Sequence, residues 1–161
     1  MTGRGTITVL TGDADAADGR AFLRRLVETA ADSGAGSAHR GTGGAARTWL
    51  VIGEPASGGD DQRVVVDHDL LGRAAVRLAI DKIVCVGGSR AVRAAHQGAV
   101  MEGSWGDEAL LVGDEDGLAE RWSDAGADVP GGGDVIGVLG VLDADRLAAV
   151  LTERDLVVRS I

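Results

Sequence analysis

The sequence has 161 residues, about the length that one compact domain needs to bury a core. Its formal net charge of −9 argues against a nucleic-acid partner, because binding to phosphates requires clustered lysine and arginine side chains. No apolar run approaches the roughly 18 residues of a membrane span, and residues 1–5 contain no signal-peptide core. We therefore expect a cytoplasmic protein that has no membrane partner. The single cysteine fits this reducing compartment, and it excludes an internal disulfide.

Six short apolar runs have the length and composition of β-strands. They cover residues 6–10, 48–52, 83–86, 109–112, 135–139 and 156–158. The segments between them are amphipathic and predict helices. We expect these helices to begin at residue types that cap helix N-termini, which are Asp18, Asp67, Ser89, Asp114 and Asp143.

The alternation of strands and helices predicts right-handed βαβ crossovers. The expected fold class is therefore α/β, with three αβα layers and a mostly parallel, six-stranded, Rossmann-like sheet. One domain is expected over residues 1–161, with a Gly/Ser-rich loop at residues 33–46. The last strand is short, and its sequence leaves open whether it runs antiparallel at the edge of the sheet.

Three acidic residues, Asp13, Asp15 and Asp18, follow the first predicted strand. Because ligands of α/β sheets bind beyond the carboxyl ends of the strands, these carboxylates are candidate ligand-binding residues. Their spacing could hold Mg²⁺ or contact ribose hydroxyls. The alternative is a solvated turn followed by a helix cap. Asp60 and Asp61 are expected to be solvated loop residues.

The turn Gly87-Gly88-Ser89 lies between the third predicted strand and a helix. Free N–H groups at a helix N-terminus bind anions, so Gly87 and Ser89 are candidate ligand-binding residues. The alternative is a purely structural turn. The sequence contains no Walker A motif, and its one lysine, Lys82, precedes a strand rather than following a glycine-rich loop.

His68 is a further candidate ligand-binding residue, at the expected start of the second helix. Its neighbours Asp67 and Asp69 would favour the protonated imidazole. The alternative is a surface or capping histidine. Cys85 lies inside an apolar strand, where a thiolate is disfavoured. We therefore assign no catalytic residue and no metal ligands.

The order of the elements and several short motifs resemble the C-terminal domain of Mur ligases. The closest subtype is the D-alanyl-D-alanine-adding, UDP-N-acetylmuramoyl-tripeptide ligase of peptidoglycan synthesis. The family's motifs include a strand ending in G-D/E, E-H-x-x-x-G, I-D-x-x-x-x-V-G and G-D-V-V. The segments that resemble the family are residues 49–54 (WLVIGE), 67–73 (DHDLLGR), 80–87 (IDKIVCVG), 114–119 (DEDGLA) and 133–136 (GDVI). The chain resembles a free-standing and degenerate form of this domain.

The resemblance implies a domain that closes over a separate ATPase domain, where an acyl phosphate forms and an amino group attacks it. Two ligand-facing motifs of the family are replaced here. This chain has residues 11–17 (TGDADAA) where the family has D-A-Y-N-A-N-P. It has residues 139–142 (LGVL) where the family has K-G-S-R. The P-loop and the metal-binding elements of the central domain have no counterpart in the sequence.

We therefore expect that the isolated chain binds neither ATP nor Mg²⁺ and is not catalytic alone. Its expected role is a binding or interaction module whose partner is another protein, either a ligase core subunit or a second copy. The alternative is a subunit of a split, ADP-forming acid–amino-acid ligase. In that case a separate ATPase chain would complete the enzyme, together with ATP and Mg²⁺.

Overall fold

Six β-strands and five α-helices alternate in the computed structural model, which describes residues 5–12, 18–33, 46–124, 127–154 and 156–161. A short 3₁₀ helix precedes the fourth strand, and no helix in these ranges is long and apolar enough to cross a membrane. The elements in chain order are β1 (Thr6–Thr11), α1 (Gly19–Asp32), β2 (Thr48–Ile52), α2 (Gln62–Arg77), β3 (Lys82–Val86), α3 (Arg90–Glu102), β4 (Ala109–Val112), α4 (Glu115–Ser123), β5 (Val135–Leu139), α5 (Ala144–Glu153) and β6 (Val157–Ser160).

The six predicted strands are confirmed, and β2, β4 and β5 have the predicted bounds. Strands β2 and β5 are buried throughout, as expected of strands covered on both faces, whereas β4 lies at the edge of the sheet and is partly exposed. The predicted loop at residues 33–46 lies outside the described residues apart from its two ends.

The strands form one sheet in the order β4-β3-β2-β5-β1-β6. All neighbours are parallel, including the edge pair in which Thr6 of β1 is opposite Val157 of β6. The predicted α/β class is confirmed, and the last strand runs parallel rather than antiparallel. Strand β5 lies between β1 and β2, and Gly137 of β5 pairs with both of them.

The helices cover both faces of the sheet. Buried side chains of α1, α2 and α3 pack in one apolar cluster, and those of α4 and α5 pack in the other. From β1 to β4 the chain steps across the sheet in one direction, and from β4 to β6 it returns in the other. Because the crossovers are right-handed, the two directions place their helices on opposite faces, which gives the predicted three layers.

Helix α2 begins six residues earlier than the sequence suggested. Asp61 is extended at φ −67° and ψ 133°, and its carboxylate accepts hydrogen bonds from the N–H groups of Arg63 and Val64. Asp61 is therefore the N-cap, and the prediction of Asp67 for this role was wrong. The expectation that Asp61 is only a solvated loop residue was also wrong. The sequence contains no signal for this start, because the first two residues of the helix, Gln62 and Arg63, are polar and exposed.

Helices α2 and α3 approach each other closely enough for backbone to touch backbone. A side chain at Gly72 would overlap the Ala95 carbonyl oxygen of α3, and one at Gly98 would overlap the Asp69 carbonyl oxygen of α2. Glu102 then joins the two helices at their far ends, because it accepts a 2.6 Å hydrogen bond from Arg77 Nε. The Gly72 of the resembled motif therefore sets the distance between two helices.

We predict that Gly72→Ala lowers the free energy of unfolding by about 1–3 kcal/mol, because the added methyl group must push α2 and α3 apart. The matched control is Gly113→Ala, where an added methyl group meets no atom within 4 Å. Urea unfolding of both variants measures the difference. Equal stability of the two variants would contradict the close approach of the helices.

Candidate functional site

The carboxyl edge of the sheet, where β1 to β5 end, is the place to look for a ligand site in this fold. A glycine follows each of these strands, which brings backbone rather than side chains to this edge. The glycines are Gly12, Gly53, Gly87, Gly113 and Gly140. Three pairs of neighbouring strands send their following helices to opposite faces: β2 and β5, β1 and β5, and β3 and β4. A crevice for a ligand would open at one of these junctions.

The predicted site residues do not all meet at this edge. Gly87 and Ser89 belong to the same turn between β3 and α3, whereas Asp18 lies between β1 and α1. Strands β5 and β2 separate β1 from β3, which places three strand spacings, or about 14 Å, between the two locations. Asp13 and Asp15 lie outside the described residues. Asp18 is exposed, and its side chain makes no capping hydrogen bond to α1.

The Gly87-Gly88-Ser89 turn already holds an anion, which is the carboxylate of Glu54. Its Oε1 atom accepts hydrogen bonds from the backbone N–H of Gly88 at 2.7 Å and of Ser89 at 3.0 Å. Gly87 has φ +142°, a conformation that L side chains rarely adopt, and any side chain there would overlap this carboxylate. The turn therefore has the anion-binding geometry expected from the sequence, with an internal group as the anion.

The remaining free N–H groups of the α3 N-terminus are also bonded within the chain. Asp60 Oδ1 accepts from Arg90 N–H at 3.1 Å, and the Gly59 carbonyl accepts from Ala91 N–H at 2.8 Å. The Ser89 hydroxyl accepts from Val92 N–H at 3.3 Å, which confirms Ser89 as the predicted N-cap. The expectation that Asp60 is only a solvated loop residue was wrong, since its carboxylate bonds to a second helix.

The crevice between β2 and β5 is closed by the chain segments that follow the two strands. Gly53 N–H donates to the Leu139 carbonyl at 2.7 Å, and Val141 N–H donates to the Glu54 carbonyl at 2.8 Å. Gly140 has φ +92°, and a Cβ atom there would lie 2.7 Å from the Gly53 carbonyl oxygen. Backbone pairing thus continues past both strand ends into the space that a ligand would occupy.

His68 is neither a surface residue nor a helix cap. It is the seventh residue of α2, it is only 3% exposed, and it lies one turn before Gly72 on the buried side of the helix. Its Nδ1 atom lies 2.9 Å from the Val64 carbonyl oxygen, so this nitrogen carries the hydrogen and donates it within the same helix. The predicted location at the start of a helix was wrong, because α2 begins earlier in the chain.

The one lysine of the chain is paired at the opposite, amino edge of the sheet. Lys82 Nζ lies 2.5 Å from Asp128 Oδ2, and the other oxygen of this carboxylate accepts a 2.7 Å hydrogen bond from Arg47. Next to it, the buried Asp134 accepts hydrogen bonds from Arg47 N–H at 2.7 Å and from the Trp49 indole at 2.8 Å. These contacts fix the starts of β2, β3 and β5, and they keep Lys82 away from the carboxyl edge.

Metal-binding and nucleophilic chemistry have little support in the described ranges. No group of three histidine, cysteine, aspartate or glutamate side chains in those ranges could hold a metal ion. Cys85 is fully buried in β3, and burial raises the pKa of its thiol to about 12. Since the thiolate is the reactive form, this cysteine is not a nucleophile in the folded protein.

We predict that Cys85 does not react with a disulfide reagent at pH 8 in the native protein. It should react with one equivalent of reagent in urea, because unfolding removes the burial that raises its pKa. Absorbance of the released thiolate measures the reaction. Rapid labelling without denaturant would contradict the burial of Cys85.

A second prediction concerns the pH dependence of the Lys82–Asp128 pair. Burial acts to raise the pKa of Asp128, but hydrogen bonds from Lys82 and Arg47 outweigh it, so the pKa is lowered. The stabilisation is therefore present above the unfolded-state pKa, near 3.9, and is lost as the pH falls through the lower native value. Asp128→Asn should be less stable than the native protein at pH 7, and this difference should shrink below about pH 4.

Urea unfolding at several pH values measures this difference, with Glu28→Gln as the control because Glu28 is an exposed carboxylate on α1. A stability difference for Asp128→Asn that stays constant between pH 7 and pH 3 would contradict the assigned ion pairs.

Comparison with known proteins gives a partial match. The sequence is 51% identical over 70 residues to the UDP-N-acetylmuramoyl-tripeptide–D-alanyl-D-alanine ligase of Mycobacterium leprae, which is 44% of this chain and 13% of that ligase. It is 48% identical over 60 residues to the ligases of the same name from Mycobacterium bovis and Mycobacterium tuberculosis, which is 37% of this chain and 11% of each ligase. No family model and no solved structure matches.

The matched segment thus spans only about an eighth of these relatives, and the rest of each ligase has no counterpart in the match. The identity over that segment confirms the resemblance that the motifs indicate. Over this segment, the chain is a homologue of the D-alanyl-D-alanine-adding Mur ligases.

Proposed function

We propose that this domain is a cytoplasmic, non-catalytic binding or interaction module with the fold of a Mur ligase C-terminal domain. In this role the isolated chain binds neither ATP nor Mg²⁺, and its partner is another protein. The homology at about 50% identity supports a ligase-related domain. That the domain catalyses no bond formation is our proposal.

The proposal rests on the residues that are found at the end of β5. The resemblance places a Lys-Gly-Ser-Arg motif there, which would hold an anionic substrate, and this chain has residues 139–142 (LGVL) instead. Leu139 is buried, and the backbone of Val141 is bonded to Glu54. Acyl phosphates carry charge on their phosphoryl oxygens, and catalysis of their formation depends on cations placed beside those oxygens. The end of β5 contributes none.

A role in protein binding is supported by apolar side chains that are exposed at one end of the sheet. Met101 in the last turn of α3 is 63% exposed, and Trp105, three residues after the end of this helix, is 80% exposed. Leu111 is 45% exposed in β4, which is an edge strand. Exposed tryptophan and an open strand edge are features that partner proteins commonly cover.

The second candidate is a subunit of a split ATP-dependent ligase, and the names of the relatives favour it. Those proteins are ligases, and the matched segment is a small part of each. A separate chain would have to supply the ATPase core. The carboxyl edge would then meet ATP only after that chain had docked.

We predict that the isolated domain gives no heat of binding with millimolar ATP, with or without Mg²⁺, in titration calorimetry. A second assay tests the split-ligase candidate. The Mycobacterium tuberculosis relative is produced without the domain that contains the matching segment, and the present chain is added in trans. We expect no ATP-dependent ligation, because the end of β5 has no cationic side chains.

The positive control is the relative's own excised domain, which must restore some ligation when it is added in the same way. Ligation restored by the present chain would overturn the non-catalytic proposal in favour of the split ligase. Tight binding of ATP to the isolated domain would contradict the proposal independently.

A further inference from the structure

The N-terminus of α3 is a complete anion-binding arrangement. An α-helix leaves its first four N–H groups without partners in the helix, and here these groups belong to Ser89, Arg90, Ala91 and Val92. Each of them, and Gly88 before them, donates to an oxygen atom of this chain. Three of these five N–H groups donate to carboxylates of the segment between β2 and α2: two to Glu54 and one to Asp60.

The connection between β2 and α2, residues 53–61, is held against α3 by these contacts. Glu54 bonds at its start, Gly59 and Asp60 bond near its end, and Asp61 caps α2 immediately afterwards. The fit is close, because a Cβ atom at Gly59 would lie 2.8 Å from Ser89 Cβ. The connection therefore contacts the α3 N-terminus at its start and near its end.

Glu54 is the member of this set that takes the place of an external anion. It is half-buried, and one of its oxygen atoms accepts two N–H groups of consecutive residues, as a phosphate oxygen does at such a turn. Its negative charge also lies at the positive end of the α3 dipole, which is where an anion is most stabilised. The backbone of Glu54 is fixed separately by its hydrogen bond with Val141.

We propose that Glu54 is a built-in anion that latches the β2–α2 connection onto α3 and excludes outside anions from the N-terminus of α3. The latch is a conformational device of the fold. When the Glu54 carboxylate is withdrawn, the N–H groups of Gly88 and Ser89 become available to a small anion. This holds whether the domain acts as an interaction module or within a split ligase.

The test compares Glu54→Ala with the native chain by amide NMR, with inorganic phosphate as the probe and chloride at equal ionic strength as the reference. In the native chain, phosphate should leave the Gly88 and Ser89 signals unmoved. In the variant, hydrogen exchange at these two amides should be about ten- to a hundredfold faster, because a hydrogen bond to a charged group is lost. Phosphate should then shift both signals and slow their exchange again.

Two further variants serve as a conservative substitution and as a control. Glu54→Gln retains an acceptor oxygen without the charge, so it should fold and show a smaller rise in exchange at Gly88 and Ser89. Asp114→Asn removes one charge at the N-cap of α4 on the same edge, where the carboxylate accepts from Gly117 N–H, and it should leave both amides unchanged.

Three results would overturn the latch. The first is a phosphate-dependent shift of Gly88 and Ser89 in the native chain. The second is exchange at these amides in Glu54→Ala or Glu54→Gln that equals the native rate. The third is a folded Glu54→Ala chain whose exposed amides do not respond to phosphate.

Discussion

The insertion of β5 between β1 and β2 is the constraint on which the rest of the molecule depends. All five residues of β5 are buried, and the strand is hydrogen-bonded on both sides. Phe22 and Leu26 of α1 pack across it, and a Cβ atom at Gly137 would lie 2.7 Å from Leu26 Cδ2. Because β1 and β2 touch β5 and not one another, the N-terminal strand joins the sheet only through a segment from the other end of the chain.

The position of β5 also determines which contacts form at the amino and carboxyl edges of the sheet. At the amino edge, Asp134 immediately precedes β5, and its carboxylate binds the start of β2 through Arg47 and Trp49. At the carboxyl edge, the residues after β5 pair with those after β2, where Glu54 turns towards α3. Acidic side chains on each edge are thus used to hold elements of the fold together. At the β2–β5 junction and at the α3 N-terminus, groups that could face a ligand are bonded to other parts of this chain.

The sequence was most informative where structure is determined by local pattern. The bounds of β2, β4 and β5 follow from uninterrupted apolar runs, and the caps Ser89, Asp114 and Asp143 follow from residue type and position. The start of α2 was missed because its first two residues, Gln62 and Arg63, are polar and exposed. The burial of His68 was missed for the related reason that its helix extends further back than the apolar periodicity does.

Ligand binding at the candidate site residues stays a prediction. The turn at Gly87 and Ser89 does have anion-binding geometry, but the anion comes from Glu54, more than thirty residues earlier in the chain. A local sequence pattern does not predict a contact between residues so far apart in the chain. The Lys82–Asp128 and Gly72–Ala95 contacts are of the same kind, since each joins residues that only the completed sheet or helix pair brings together.

The position of β5 also determines the order in which the strands can pair during synthesis of the protein. Strands β2, β3 and β4 are consecutive neighbours, so they can pair as soon as the ribosome releases them. β1 is made first, yet it has no partner until residues 135–139 emerge, on the order of ten seconds later at ordinary rates of translation. Throughout that interval β1 is an unpaired apolar strand, a feature that makes an incompletely folded chain prone to aggregation.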